Sequence, residues 1–523
     1  MTKNLLLVTG IMTALGVAGL LSLPNLSEAQ TPVTPMKPAA RPLAPPCNTM
    51  SDLKPLPPDA RPDTPRELTP IDQTTKDKIL NSGLPCQENV NTTGPDRNKT
   101  PLENIQRGFD FYSWLTFIAL NSPADGRGIE KSAPNTKTKW EDMSNFRQLL
   151  DVMLPGGRAP KWEDEKIIPA GCRSQYKSGM MVIEMIEETF NQPFKTGPLI
   201  DQRASYALFD ILMNKQTFDY IERHGLYSKP VQMSEDRSKL KIDFPAGESR
   251  EIMLQLFPEL SSKDDPGSII LKVSWKILDP KDDKGKFHTV DALVSMPRHD
   301  PQSEPPCLRK TLGLVGFHVM HKTKSRPQWI WTSFEHVDNV PEQKDVEARN
   351  LKASYNFFDP SCDTAKCKVN ETPPRPWEPK HALGLKFYNK EFKSQITRVI
   401  PLTDDTKEMN KKFQDILGKT VWKNYMLLST QWPSDFGCTR RFSDSPEPST
   451  DFKKEPDMTC APVPTFLANS TLETYSQGSE PLASSSCMAC HGNAVSYQQR
   501  PPNLNPDDFF NQSDFTFMLE KAR

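Results

Sequence analysis

Histidine is scarce in this chain, with eight residues in 523, and charge of one sign is missing altogether. Lysine plus arginine (65) almost equals aspartate plus glutamate (66), for a net charge of −1. That balance leaves no basic field for nucleic acid and no acidic tail. Beyond the N-terminus no apolar run is long enough to cross a bilayer. There is also no second C-x-x-C to complete a zinc site at ordinary spacing. Mean hydropathy of −0.60 with 50 prolines excludes a bundle of long helices and implies a loop-rich body.

What is present begins with a leader. Lys3 precedes an apolar run from Leu5 to Leu23, followed by Ser27-Glu28-Ala29, a small-x-small site before Gln30. This predicts a signal peptide over 1–29 and an exported protein, periplasmic or secreted. The run is nearly long enough for an uncleaved anchor, the one route by which this chain would touch a membrane. Residues 30–99 read as a Pro-rich linker, with Pro-Leu-Ala-Pro-Pro at 42–46 and Pro-Leu-Pro-Pro at 55–58.

One motif carries specific chemistry. Cys487-Met488-Ala489-Cys490-His491 is the C-x-x-C-H pattern of c-type haem attachment. Two thiols one helical turn apart reach the two vinyl groups of one porphyrin, and the next residue offers an imidazole to the iron. In a chain of this composition the pattern arises by chance about 0.003 times. A plain disulfide or half a metal site is the competing reading. The motif therefore predicts one covalently bound haem c, with Cys487 and Cys490 as attachment points and His491 as axial iron ligand. The other eight cysteines (Cys47, Cys86, Cys172, Cys307, Cys362, Cys367, Cys438 and Cys460) are an even number, enough for four disulfides in an oxidising compartment. Spacing does not choose among the pairings, although Cys362 and Cys367 are close enough for a small loop, and Cys47 and Cys86 are placed to pin the linker to the body.

Residues 100–464 read as a mixed α+β body. Thr100-Pro101-Leu102-Glu103 opens a helix whose apolar residues leave little room for solvent. Helices are expected over 180–190 and 215–223, the latter stopped by Gly225. Period-two alternation predicts a strand over 269–277, with 287–294 returning beside it; 312–320 and 328–337 follow, an antiparallel meander of at least four strands. A charged helix over 404–417 and a strand over 422–432 precede Pro464, where the body ends. Residues 465–523 form a short helical haem-attachment segment packed on the body. Within it Ser470–Glu473 reads as a capping box for a helix to about 477, and Ser513 caps a last helix carrying Phe515, Met518, Leu519 and Ala522.

The meander holds the second concentration of chemistry. On a regular strand His318 and Met320 share one face and His321 takes the other. His321, Glu335 and His336 are candidate acid–base groups. Each histidine could equally satisfy itself inside a packed core, with Trp329 and Trp331 as plain packing. The sixth iron ligand is either Met518, on the last helix, or His318, on a rigid strand; Met488 lies inside the attachment loop and cannot reach the opposite face. The third option is an open position.

Phe317-His318-Val319-Met320-His321-Lys322-Thr323, Pro327–Trp331 and Phe334–Asn339 resemble an uncharacterised bacterial family of exported proteins with a C-terminal cytochrome c-type motif. Gly197–Gln202, Phe218–Ile221 and Leu472–Tyr475 extend the resemblance over most of the chain after residue 100. It implies a single-haem protein attached through Cys487, Cys490 and His491. Two functions follow from such a group. One is electron transfer to a redox partner protein in the cell envelope; the other is a peroxidase- or oxygenase-like oxidoreductase whose large body shapes a substrate pocket. The body is large for one haem, which speaks for the second, and no peroxidase or oxygenase signature is present, which speaks for the first.

Overall fold

The computed structural model describes residues 47, 71–88, 101–237, 240–248, 265–297, 305–362, 367–382, 384–434, 462–478, 485–499 and 512–523. The expected leader, 1–29, lies outside the described residues. Among the described residues no helix is long and apolar enough to cross a membrane.

The architecture is α+β, built on one sheet. Its strands are β1 (Phe146–Gln148), β2 (Met181–Glu184), β3 (Leu208–Asn214), β4 (Ile269–Ile277), β5 (Thr289–Ser295), β6 (Cys307–Thr323), β7 (Arg326–His336), β8 (Tyr425–Pro433) and β9 (Pro462–Val463). They run in the order β1-β3-β4-β6-β7-β8-β9, antiparallel throughout. The long strand β6 is the axis. Along one edge it pairs with β4; along the other it pairs first with β5 and then with β7. The expected β4–β5 hairpin is therefore not formed, because β6 lies between the two. Strand β2 adds to β5 in parallel. The expected helix over 180–190 is β2 followed by one helical turn, Glu187–Phe190.

One face of the sheet is closed by α2 (Pro101–Asn121), helped by α4 (Asp404–Ile416). Ring pairs join them: Phe117 sits 4.2 Å from Phe334, and Trp114 stacks 4.8 Å from Phe413. Each such aromatic removes roughly 150–250 Å² from water, about 4–6 kcal/mol before the entropy of ordering is charged. Hydroxyls fix the register, with Ser113 bonding to Thr332 and Thr430 at 2.7 and 2.6 Å. Helix α3 (Lys215–His224) ends at Gly225, whose φ of 67° makes the left-handed cap its sequence implied.

Within the Pro-rich stretch there is structure that periodicity did not reveal. Asp72 caps α1 (Gln73–Leu80), and Ile79 and Leu80 are buried in the core. Disulfides join Cys47–Cys86, Cys172–Cys307 and Cys362–Cys367, as befits an oxidising compartment. Cys438 and Cys460 lie outside the described residues.

Candidate functional site

The other face of the sheet is the floor of a cavity. Register sets its rows: Met213, Ile270, Met320, Trp331 and Gln431 lie side by side across β3, β4, β6, β7 and β8. In the next row come Ile211, Lys272, His318 and Ser333. Alternation along β6 turns His318 and Met320 to this floor and sends Phe317, Val319 and His321 into the helix-covered core.

The roof comes from the end of the chain. Residues 469–475 form a turn rather than the expected helix, and in it Asn469, not Ser470, accepts from the Thr471 N–H at 2.9 Å. Asn469 also donates to Ser333 Oγ and the Phe334 carbonyl, so the turn lies directly on the sheet. Gly316 permits this approach: a methyl group there would overlap Thr471 Oγ1 and Ser274 Oγ. Further on, α5 (Cys487–His491) is capped by Ser486. Gln431, fully buried on β8, accepts from the Met488 N–H at 2.8 Å and donates to the Pro464 carbonyl at 2.7 Å. It clamps the start of the motif helix to the floor.

Last in the chain is a one-turn 3₁₀ helix, Phe517–Lys521, in place of the expected α-helix; Thr516, not Ser513, caps it. The turn before it holds Asp514 and Phe515 at φ 50° and 63°, left-handed for residues other than glycine. Such backbone persists only where surroundings over-determine it. Here Asp514 ion-pairs with Lys322 at 2.6 Å, its carbonyl accepts from Trp329 Nε1 at 3.1 Å, and its carboxylate accepts from the Phe244 N–H at 2.8 Å. Trp329 itself has φ 68°. The strained turn presents the Phe515 carbonyl to His491.

That contact decides what His491 can do. Nδ1 donates to the Phe515 carbonyl at 2.8 Å, which leaves the Nε2 lone pair as the acceptor. Burial holds the ring neutral, pushing its pKa down to about 3. Trp331 lies 4.6 Å and Phe517 5.1 Å from the imidazole, fixing it between two aromatic rings. A backbone-oriented, neutral imidazole is the second-shell arrangement of a metal-ligating histidine.

Roof and floor enclose about 360 Å³, at the small end of cofactor pockets. Cys487, Cys490, His491, His318, Met320, Trp331 and Met518 all line it. Among the described residues Cys487 and Cys490 are the two free cysteines. Burial raises Cys487 well above the ordinary thiol range and Cys490 to about 12. The two thiols therefore stay protonated in the fold as it stands. Among the described residues no three His, Cys, Asp or Glu side chains converge on a metal position. A porphyrin brings its own nitrogen ligands, so haem would ask less of the protein: two thiols and one imidazole on one cavity wall, as Cys487, Cys490 and His491 are.

Opposite them, His318 is held neutral by burial, with a pKa near 3. Its Nε2 is buried without a hydrogen bond, 3.5 Å from Glu473 Oε2. Burial pushes Glu473 up to about 7. Both candidate sixth ligands, His318 and Met518, thus reach the same cavity.

Three candidate acid–base residues do not. His321 is spent on the Tyr112 hydroxyl and the Pro266 carbonyl, in the core behind the sheet. His336 stacks 4.4 Å from Phe287, its Nε2 on the Lys286 carbonyl at 3.0 Å. Glu335 is an anchor: it pairs with Arg398 at 2.7 Å and accepts from Ser470 Oγ at 2.8 Å, tying down the roof. Gln431, Lys272 and Glu473 were missed by sequence reasoning, since only strand register and the 469–475 turn bring them here.

No family model, curated protein or solved structure matches this chain.

Proposed function

We propose that this chain is an exported single-haem c-type cytochrome that passes electrons to a redox partner protein in the cell envelope. The observation that carries this reading is the pair of free, protonated thiols beside an imidazole whose Nδ1 is already committed to the Phe515 carbonyl, all on one cavity wall. Cys487 and Cys490 would hold the haem through thioethers, and His491 would offer Nε2 to its iron. When bound, the group supplies one-electron chemistry. The residues do the rest. Phe515 holds the ring tautomer, Trp331 and Phe517 fix the ring plane, and the apolar floor of Ile211, Ile270 and Met320 keeps water away. The buried Nε2 of His318, which makes no hydrogen bond, favours it over Met518 as sixth ligand. Export rests on the leader and the three disulfides, with membrane contact only if the leader stays uncleaved.

Acid–acetone should leave the colour on wild-type protein, and Cys487→Ala with Cys490→Ala should abolish covalent attachment. A wild type that releases haem, or takes up none, sinks the reading. His318→Ala should convert a low-spin spectrum to one that binds carbon monoxide when reduced, while Met518→Ala leaves the wild-type spectrum unchanged. The reverse pattern would assign Met518 instead.

One observation favours a second reading, a haem oxidoreductase with an open sixth position. Glu473 faces the same cavity beside His318, a carboxyl–imidazole pair suited to moving protons. Ready carbon monoxide binding by reduced wild type would move that reading ahead.

A further inference from the structure

One cation on the cavity floor, Lys272, closes no ion pair with any described residue. Lys272 leaves the middle of β4 on the cavity face, between Ile211 of β3 and His318 of β6. Its ammonium lies 5.8 Å from the Phe209 ring centroid and makes no hydrogen bond or ion pair with any described residue. The sheet treats its neighbours differently. Lys276, four residues along the same face of β4, meets Asp282 at 2.8 Å. Lys322 of β6 meets Asp243 and Asp514, both at 2.6 Å. Lys272 is half-buried, and an ammonium partly kept from bulk water with no oxygen in hydrogen-bond contact is costly.

Two carboxylates, Glu188 and Glu473, lie close enough for its charge to favour their ionised forms, yet neither closes to ion-pair distance. They also limit what the lysine could hold. A dianion such as phosphate would meet their repulsion with one ammonium to offset it. A single carboxylate has the right charge, and its oxygens suit an ammonium donor. We propose that Lys272 binds one carboxylate inside this cavity. The source is either a propionate of the haem proposed above, in which case the inference rests on that reading, or a free small monocarboxylate.

The test uses the full-length protein, wild type and Lys272→Met, with Lys272→Arg as the charge-preserving rescue and Lys195→Met at the exposed cavity mouth as control. Haem is labelled with ¹³C at its propionate carboxyls through the growth medium, and the carboxylate bands are read by infrared difference spectroscopy. If Lys272 holds a propionate, one labelled band shifts in Lys272→Met and stays in place in Lys272→Arg and Lys195→Met. If the source is free, the labelled bands do not move. ¹³C-acetate then binds wild type by NMR titration and binds Lys272→Met about tenfold or more weakly. Labelled bands indifferent to Lys272→Met, together with equal acetate binding or none, overturn the proposal. A wild type that lacks covalent haem defeats the cytochrome reading separately, and the acetate titration still decides the fate of Lys272.

Discussion

The turn that presents the Phe515 carbonyl to His491 can be challenged without disturbing its backbone. Asp514→Asn keeps the size, keeps a side-chain oxygen to accept from the Phe244 N–H, and places in the left-handed region a residue that tolerates it. What disappears is the charge opposite Lys322, whose side chain is 3% exposed. Breaking a buried pair outright costs about 3–5 kcal/mol. Two features reduce that figure here. Asp243 still reaches Lys322 at 2.6 Å, and burial raises the Asp514 carboxyl, so removing its charge relieves some desolvation. The expected loss is about 1–3 kcal/mol, read as a lower urea midpoint at unchanged slope. Because Trp329 and His491 both bond to carbonyls of this turn, the loosened turn should also weaken the Nδ1 bond. If the chain carries the proposed haem, a less electron-rich His491 imidazole would raise its midpoint potential. Stability within about 0.5 kcal/mol of wild type, with an unchanged potential, would refute the claim that this ion pair holds the site.

Gln431→Leu preserves volume but strands the Met488 N–H and the Pro464 and Thr465 carbonyls, so it should destabilise by about 2–4 kcal/mol; full stability and normal haem loading would show that the clamp is dispensable. Alkylation without reductant should leave Cys47, Cys86, Cys172, Cys307, Cys362 and Cys367 unmodified, and their ready alkylation would rule out the disulfide framework. Burial raises Asp210 to about 7 in the fold, so its contribution is full below the unfolded value near 4 and is lost as pH rises through about 7. Asp210→Asn should therefore gain on wild type between pH 4 and 7, and parallel pH–stability curves would contradict that. His321 and His336, held near 4 by burial, act oppositely: they should cost stability as pH falls from about 6.5 toward 4.

Local pattern and tertiary placement were not equally legible. The helix over 101–121, the Gly225 stop of α3 and the period-two strands are written in adjacent residues, and the structure has those elements, although the expected α2 cap, Thr100, lies outside the described residues. Alternation alone separated His318 from His321. Other features depend on partners distant in sequence. Helix α1 was hidden because only its last turn is apolar, and its burial depends on the core it reaches. The 180–190 stretch looks helical, yet β5 captures its first half as a parallel strand. Periodicity cannot say that β6 inserts between β4 and β5. His336 and Glu335 look catalytic by residue type, but neighbours contributed by other segments already satisfy them.

The floor of the site lies in β3 to β8, its roof near the C-terminus, and residues 187–195 add to the lining. With thioethers at Cys487 and Cys490 and a coordinate bond to His318, the prosthetic group would close a loop of more than 150 residues. In polymer terms it would be a crosslink, worth about 4–5 kcal/mol by the entropy it removes from the unfolded chain. Its His318 half would depend on the iron's oxidation and ligand state, and the thioether half would not. Loss of that axial bond would leave the group tethered to the roof and release the roof from the floor. The same bond that would tune the iron would then also be a reversible fastening between the roof and the floor of the cavity.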